Sequence, residues 1–261
     1  MADEDVVLVE DSGEVVWLTL NRADKKNAVS RAMGNRLAQI VRELQGRSDV
    51  RAVVLAAEGD VFCAGADLKE RKDMSMQEVE SFARSMNQLF VDIYELPMPT
   101  ISLLQGPAYG GGCELSLCTD FRVVSPNTFF VLPETSLGII PGWGGTQRLP
   151  ALIGLARAKQ MILLCERIDA QTALSWGLAN NVAAAEALRQ EAKNMVETIK
   201  ALGPLGVRQA KQAIHHSRWS RDQYEGVKFE TDCYQVVLHS EDRVEALNAF
   251  AEKRKPVFKG R

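Results

Sequence analysis

Runs of apolar residues along the chain predict a series of β-strands in its first half. Residues 14–20 (EVVWLTL) and 51–57 (RAVVLAA) are rich in β-branched residues and are bounded by Gly, Asp or Arg, which is typical of strands. Further apolar runs predict strands at 101–104, 121–125 and 128–132, the last two as a close pair. These segments together would supply the strands of a sheet.

Amphipathic helices separate the predicted strands. Between the first two strands, apolar residues recur at spacings of three and four, and Ser30 stands where an N-cap is expected. The residues that make this pattern are Met33, Leu37, Ile40, Val41 and Leu44. A second helical pattern covers about 77–95, before Pro97 and Pro99. Strand, helix and strand alternate through about residue 180, which predicts an α/β fold with parallel strands.

Beyond residue 150 the pattern becomes mainly helical. Apolar spacings predict helices at 155–165, 170–176, 183–201, 205–216, 222–238 and 241–253. No Ser/Gly-rich linker separates these helices from the strand-containing part. We therefore expect an α/β core over residues 1–200, followed by a helical region over residues 201–261 that packs on the core and on neighbouring subunits.

The composition excludes several classes of protein. The 261 residues carry a net charge of −3 and 46% of them are hydrophobic, which argues against disorder and against a main role in binding nucleic acid. No apolar run approaches the roughly 18 residues that span a bilayer. The five cysteines form no CxxC pair, and the three histidines offer no metal-ligand spacing. We expect a soluble protein with no metal and no cofactor.

The N-terminal segment predicts the compartment. Acidic residues precede the first basic residue, Arg22, whereas signal peptides begin with a basic region and transit peptides are rich in Arg. We expect a cytoplasmic protein, or a mitochondrial matrix protein from which a transit peptide has been removed.

Two segments place small residues directly before a helix. In FCAGADLKE, residues 62–70, the turn at Ala66 leads into Asp67. In GPAYGGGCELSLCTD, residues 106–120, three glycines lead into Glu114. Small residues at such turns let a ligand approach unpaired amides, and neither segment matches GxGxxG or a P-loop. The alternative is that both turns are ordinary tight connections, with Glu114 as a surface acid.

A third segment supplies a second acid. LPETSLGIIPGWGGTQRLP, residues 132–150, places Glu134 in apolar surroundings before another group of glycines. One buried acid is often structural, but two beside glycine-rich turns favour general acid/base chemistry. No GxSxG motif is present and no histidine is near these segments, which argues against a covalent acyl-enzyme. Two amides that converge on a carbonyl stabilise an oxyanion, so we predict enolate chemistry.

The three segments resemble those of the enoyl-CoA hydratase (crotonase) family in order and spacing. The resemblance extends from LTLNRADKKNAVS at 18–30 to AFAEKRKPVFKG at 249–260. It implies a spiral of βαβ units with a C-terminal helical region that builds trimers, commonly paired into hexamers. It also implies the reversible syn addition of water to a short or branched 2-enoyl-CoA, giving a (3S)-3-hydroxyacyl-CoA.

The resemblance also implies catalytic roles for individual residues. The amides of Ala66 and Gly111 would form an oxyanion hole for the thioester carbonyl. Glu114 and Glu134 would hold the reacting water between them, and the amide of Gly142 would help to orient that water.

Binding residues for the substrate follow from the same resemblance. Lys69 would meet the phosphates of CoA, and Phe250 and Lys253 would reach its adenine end, from this subunit or a neighbouring one. Two aromatic residues depart from the commonest family pattern. Tyr109 replaces a smaller aliphatic residue, and Trp143 stands where Gly or Ala is common. Because Tyr109 abuts the oxyanion glycines and Trp143 follows Gly142, we assign both to the acyl pocket, where we expect them to favour short chains. The alternative is that Trp143 points into the protein and only packs.

Within the family, the segments ADLKER and GGTQRLP and the EKR-P tail are most similar to the methylglutaconyl-CoA hydratase and AU-rich-RNA-binding branch. RNA association in that branch is tied to a lysine-rich helix. The corresponding segment here, residues 30–49, has four arginines, two acids and no lysine, so nucleic acid is not an expected partner. The alternatives left open are another crotonase reaction, such as double-bond isomerisation or decarboxylation, and RNA binding.

Overall fold

The main sheet has six strands in the computed structural model of the protein, which describes residues 6–218, 220 and 222–261. The strands of the described chain, in both of its sheets, are β1 (Val7–Asp11), β2 (Val15–Leu20), β3 (Ala52–Ala57), β4 (Thr100–Leu104), β5 (Ala108–Tyr109), β6 (Phe121–Val124), β7 (Phe129–Val131), β8 (Ile168–Asp169) and β9 (Asn181–Val182). The main sheet has the order β1-β2-β3-β4-β6-β9. Only β1 pairs antiparallel within it, against β2. The predicted parallel arrangement is therefore confirmed.

A second, smaller sheet corrects one expectation. The strands predicted at 121–125 and 128–132 do not pair with each other, because β6 lies in the main sheet and β7 pairs with β5 and β8. The hydroxyls of Ser125 and Thr128 donate to the carbonyls of Gln105 and Leu104, each at 2.7 Å. These bonds fix the turn between the two strands against the end of β4, where the chain leaves the main sheet.

The helices lie close to their predicted positions. They are α1 (Arg31–Gln45), α2 (Leu68–Lys72), α3 (Met76–Tyr94), α4 (Gly111–Ser116), α5 (Gly145–Ile153), α6 (Leu155–Leu163), α7 (Ala170–Trp176), α8 (Leu188–Lys200), α9 (Pro204–His216), α10 (Gln223–Leu238) and α11 (Glu241–Ala251). Ser30 caps α1 as predicted, since its side chain accepts from the amide of Met33. The helix predicted at 183–201 begins only at Leu188, because residues 185–187 form a 3-10 turn between β9 and the helix.

Two apolar cores lie on opposite faces of the main sheet. Along β2, Val16 and Leu18 pack in the core that contains α1 and α3, whereas Val15 and Trp17 pack in the core that contains α8. Successive strand residues point to opposite faces, so one strand serves both cores. The α/β class with C-terminal helices is confirmed. The division between residues 200 and 201 stays a prediction.

Candidate active site

The two glycine-containing turns lie directly against each other. Tyr109 donates its amide to the carbonyl of Cys63 at 2.9 Å. Gly65 has a φ of +84°, and a β-carbon there would lie 2.9 Å from the carbonyl oxygen of Tyr109. A β-carbon on Gly112 would collide with the carbonyl of Cys63. The contact between the turns therefore requires glycine at these positions even before any ligand is considered.

Each turn contributes an unpaired amide. Val29 donates to the carbonyl of Gly65 at 2.7 Å and accepts from the amide of Asp67 at 3.0 Å, so the amide of Ala66 between them points away from Val29. Gly111 is the first residue of α4, and a helix leaves its first amides without internal partners. Within the described part of the chain, neither amide donates to a protein acceptor.

Glu114 is buried in the first turn of α4. Its side chain is 2% exposed, and its Oε1 accepts hydrogen bonds of 2.8 Å from the amides of both Trp143 and Gly145. Burial raises the pKa of Glu114 to about 7, and the nearby Glu134 also raises it, while the two amides act in the opposite direction. A carboxyl in this range can exchange a proton near neutral pH.

Glu134 is the second buried acid and follows β7 in a short 3-10 turn. Its Oε2 is fully buried and has no hydrogen-bond partner among the described residues. Burial raises the pKa of Glu134. A β-carbon on Gly110 would lie 2.6 Å from Oε1 of Glu134, so glycine at 110 makes room for the carboxyl. Glu134 is thus held by packing, and one of its carboxyl oxygens has no partner among the described residues.

A turn at residues 142–145 joins Glu114 to the rest of the core. The ring of Trp143 packs against Phe82 and Phe90, at centroid distances of 6.2 and 5.1 Å. The buried guanidinium of Arg148 donates to the carbonyl of Trp143 at 2.8 Å and to that of Phe90 at 3.1 Å. The turn that supplies both amides to Glu114 is therefore fixed on its other side by Arg148.

These features meet in one cleft with a volume of about 770 Å³. Seven of the residues predicted for the site line it: Ala66, Tyr109, Gly111, Glu114, Glu134, Gly142 and Trp143. Apolar side chains form much of the remaining wall, among them Leu68, Phe82, Leu137, Ile139 and Ile140. The cleft thus combines two unpaired amides and two buried carboxyls with an apolar lining, which suits a substrate whose carbonyl lies next to an apolar group.

Comparison with known proteins agrees with this geometry. The sequence profile of the enoyl-CoA hydratase/isomerase family matches residues 10–261. The chain belongs to this family. It is 41% identical over 266 residues to an enoyl-CoA isomerase/hydratase of Zymoseptoria tritici, covering 96% of this chain and 85% of the relative. It is 39% identical over 258 residues to the mitochondrial methylglutaconyl-CoA hydratase of Mus musculus, covering 97% and 82%.

A solved structure supports the same assignment. The crystal structure of an enoyl-CoA hydratase from Bacillus anthracis superposes with a TM-score of 0.95 at 40% identity, covering 98% of this chain and all of that one. The predicted crotonase fold is confirmed, as is the resemblance to the enoyl-CoA hydratase family.

Three residues that the family resemblance implies for CoA lie away from the cleft lining. Lys69 is exposed on α2, Phe250 is 85% exposed on α11, and Lys253 is exposed just beyond that helix with a φ of +53°. None of the three lines the cleft within this chain. Their roles stay predictions.

The structure adds residues and roles that the sequence motifs did not predict. The amides that hold Glu114 belong to Trp143 and Gly145, whereas Gly142 offers its carbonyl to Asn87 at 3.0 Å. Lys26 and Arg71 also line the cleft. A signal for Arg71 was present, because it lies three residues after Leu68 on a short helix and so shares its face.

The described residues contain no group of three or more His, Cys, Asp or Glu side chains placed to hold a metal ion. Among the described helices, none has the length and apolar character needed to cross a bilayer.

Proposed function

We propose that this protein adds water reversibly, in the syn sense, to a short or branched 2-enoyl-CoA and releases a (3S)-3-hydroxyacyl-CoA. One observation carries the proposal: Glu114 and Glu134 line the same cleft as the unpaired amides of Ala66 and Gly111. Isomerisation moves a proton between two carbons of one substrate, which a single acid/base group can do, whereas hydration must remove a proton from water and deliver a proton to carbon. Two carboxyls beside an oxyanion hole fit that requirement.

The proposed mechanism uses the two unpaired amides and the two buried carboxyls. The amides of Ala66 and Gly111 would polarise the thioester carbonyl, and one such donor contributes about 3 kcal/mol to the stability of the transition state. Polarisation makes C3 electrophilic, so water held between the carboxyls attacks there. Glu114, fixed by two amides, would accept the proton of that water. Glu134, whose pKa burial raises, would deliver a proton to C2.

The test is a hydration assay on crotonyl-CoA. The reaction is monitored through the loss of the conjugated thioester, and chiral analysis identifies the configuration of the product. We expect Glu114→Gln and Glu134→Gln each to slow hydration by at least about a hundredfold. A folded Glu134→Gln variant with near-normal turnover would contradict the assignment of the pair.

Isomerisation of the double bond is the second candidate, because the Zymoseptoria tritici relative is named an isomerase/hydratase. A 3-enoyl-CoA substrate separates the two reactions. Conversion of it to the conjugated isomer faster than hydration of crotonyl-CoA would favour isomerisation.

The acyl group is proposed to be short, with 3-methylglutaconyl-CoA as the leading branched candidate. The Mus musculus relative is named for that substrate. The rings of Tyr109 and Trp143 occupy part of the cleft wall, and volume that a ring fills is closed to a longer chain. A turnover panel over enoyl-CoA thioesters that includes 3-methylglutaconyl-CoA tests this preference.

We propose that the CoA portion of the substrate is bound by the exposed residues Lys69, Phe250 and Lys253. Phe250 and Lys253 belong to the C-terminal helical region, either of this subunit or of a neighbouring one.

Apolar residues on the C-terminal helical region are exposed in the single chain, including Ile214 at 67% and Val227 at 50%. Burial of such faces favours assembly, so a homotrimer or homohexamer is proposed. Sedimentation that finds a stable monomer at micromolar concentration would contradict it.

CoA is part of the substrate, and the proposed reaction uses no further cofactor. For localisation, we propose the cytoplasm or the mitochondrial matrix, since the Mus musculus relative is named as a mitochondrial protein.

A further inference from the structure

Two basic side chains line the cleft, Lys26 and Arg71. The acids that line it with them are Glu114 and Glu134, the carboxyls proposed for catalysis. Neither basic side chain makes an ion pair with another described residue. A cation that lines a partly apolar cleft without a protein partner is suited to meet a negative charge on the ligand.

Arg71 faces the cleft because of its position on α2. Asp67 caps this helix by accepting from the amides of Lys69 and Glu70. Leu68 and Arg71 are three residues apart and line the cleft, whereas Lys69 and Lys72 are exposed and do not. Positions three apart share a helix face. The helix therefore turns one of its basic residues towards the ligand and leaves the other two in solvent.

The acids beside Arg71 are already engaged with other arginines. Glu70 accepts from both the backbone amide and Nε of Arg31, each at 3.0 Å. Asp67 pairs with Arg22 at 3.1 Å. Neither acid is paired with Arg71, so the charge of the Arg71 guanidinium remains available to a ligand.

Arg71 lines the same cleft as the aromatic residues Phe82 and Trp143. Helix α3 follows α2 after a short turn, and its residues Phe82 and Ala83 line the same cleft. Phe82 packs edge-on against Trp143, whose amide holds Glu114. Lys26 lies in a different segment, where its carbonyl accepts from the amide of Ala64. Arg71 thus lines the same cleft as Phe82, which packs on the Trp143 ring assigned to the acyl pocket.

From this arrangement we infer that Arg71 selects for an acyl group that ends in a carboxylate, by binding that carboxylate with its guanidinium. The inference rests on the proposed function and deepens it. 3-Methylglutaconyl-CoA, the branched candidate, is the thioester of an unsaturated dicarboxylic acid, and Arg71 would be the residue that recognises the free carboxylate of such substrates. A planar guanidinium can bind a carboxylate through two parallel hydrogen bonds. The CoA phosphates offer a similar negative charge, so the test must separate the two sources.

Binding of unreactive thioesters tests the inference independently of catalysis. Glutaryl-CoA and butyryl-CoA share the CoA portion and differ in the terminal carboxylate. Calorimetric titration gives the ratio of their dissociation constants for the wild type and for Arg71→Met. Because a hydrogen bond to a charged group contributes about 1.5–3 kcal/mol, we expect the preference for glutaryl-CoA to fall about tenfold to a hundredfold in the variant.

Two further variants make the result specific. Arg71→Lys keeps the charge and should recover part of the preference. Lys72→Met removes an exposed charge from the same helix and should leave the ratio unchanged. Turnover of glutaconyl-CoA and crotonyl-CoA should show the same change in ratio.

Three outcomes would overturn the inference. Equal weakening of both thioesters by Arg71→Met would assign Arg71 to the CoA phosphates. Unchanged affinity for both thioesters, or a ratio that Lys72→Met changes as much as Arg71→Met does, would remove any role of Arg71 in selection. A wild type that binds both thioesters but hydrates neither enoyl-CoA would contradict the proposed function, whereas the ratio of the two dissociation constants would still decide whether Arg71 binds the carboxylate.

Discussion

Replacement of Glu114 by Gln should stabilise the protein while it removes activity. Burial raises the pKa of Glu114 from its ordinary value of 4.5 to about 7, so the folded state holds this proton more tightly than the unfolded chain does. The stability that this proton provides is fully present below about pH 4.5 and is lost progressively as the pH rises to about 7. Above pH 7 the folded protein must carry a buried charge.

The size of the effect follows from the shift. The difference between 4.5 and about 7 corresponds to about 3 kcal/mol, since one pKa unit is 1.36 kcal/mol. Glutamine is neutral and nearly isosteric, and its carbonyl can still accept from the amides of Trp143 and Gly145. At pH 8 the variant should therefore gain about 3 kcal/mol, which for a domain of this size raises the thermal midpoint by roughly 6–12 °C.

The assay is thermal unfolding at equal protein concentration, at pH 8 and at pH 5. We expect a clear gain at pH 8 that shrinks to less than about 1 kcal/mol at pH 5, because Glu114 is then largely protonated in the folded state. Asp120→Asn is the matched control. Burial alone would raise the pKa of Asp120, but hydrogen bonding to His215 and the charge of Lys211 outweigh it and lower that pKa. Loss of this carboxylate should therefore destabilise the protein. A Glu114→Gln variant no more stable than the wild type at pH 8, or equally stabilised at both pH values, would refute the argument.

Three further predictions concern the cleft and the turn that holds Glu114. If Glu114 accepts the proton of water, kcat/KM should rise with pH through about 7, and a profile that stays flat from pH 5 to 9 would contradict that role. Arg148→Met should lower the free energy of unfolding by about 3–5 kcal/mol, because it removes two charge-assisted hydrogen bonds to buried carbonyls; Arg148→Lys should keep part of the stability, and denaturant unfolding of both variants checks this. Trp143→Gly should improve kcat/KM for decenoyl-CoA relative to crotonyl-CoA, and no relative gain would mean that the ring packs without limiting chain length.

Much of the fold could be predicted because local sequence determines local structure. The spacing of apolar residues after Ser30 matches the buried face of α1, whose buried residues include Met33 and Leu37. The pairing of strands was harder to predict from the sequence, because the partner of each strand depends on the whole fold. Residues 121–125 and 128–132 were correctly predicted as strands, but the side-chain bonds of Ser125 and Thr128 that direct them into different sheets depend on carbonyls at the end of β4.

The candidate site could likewise be predicted only in part. Side chains of an unusual type could be found from the sequence, whereas the backbone groups that hold them could not. Glu114 and Glu134 could be found because an acid in an apolar segment beside glycines is unusual. The groups that hold Glu114 are backbone amides, which every residue but proline carries, so no residue type marks Trp143 and Gly145 for that task. Their orientation depends on Arg148, which lies in sequence beyond the glycines and fixes the turn by binding a carbonyl. The acid itself is thus encoded by one residue, but its position and its proton affinity are properties of the folded turn.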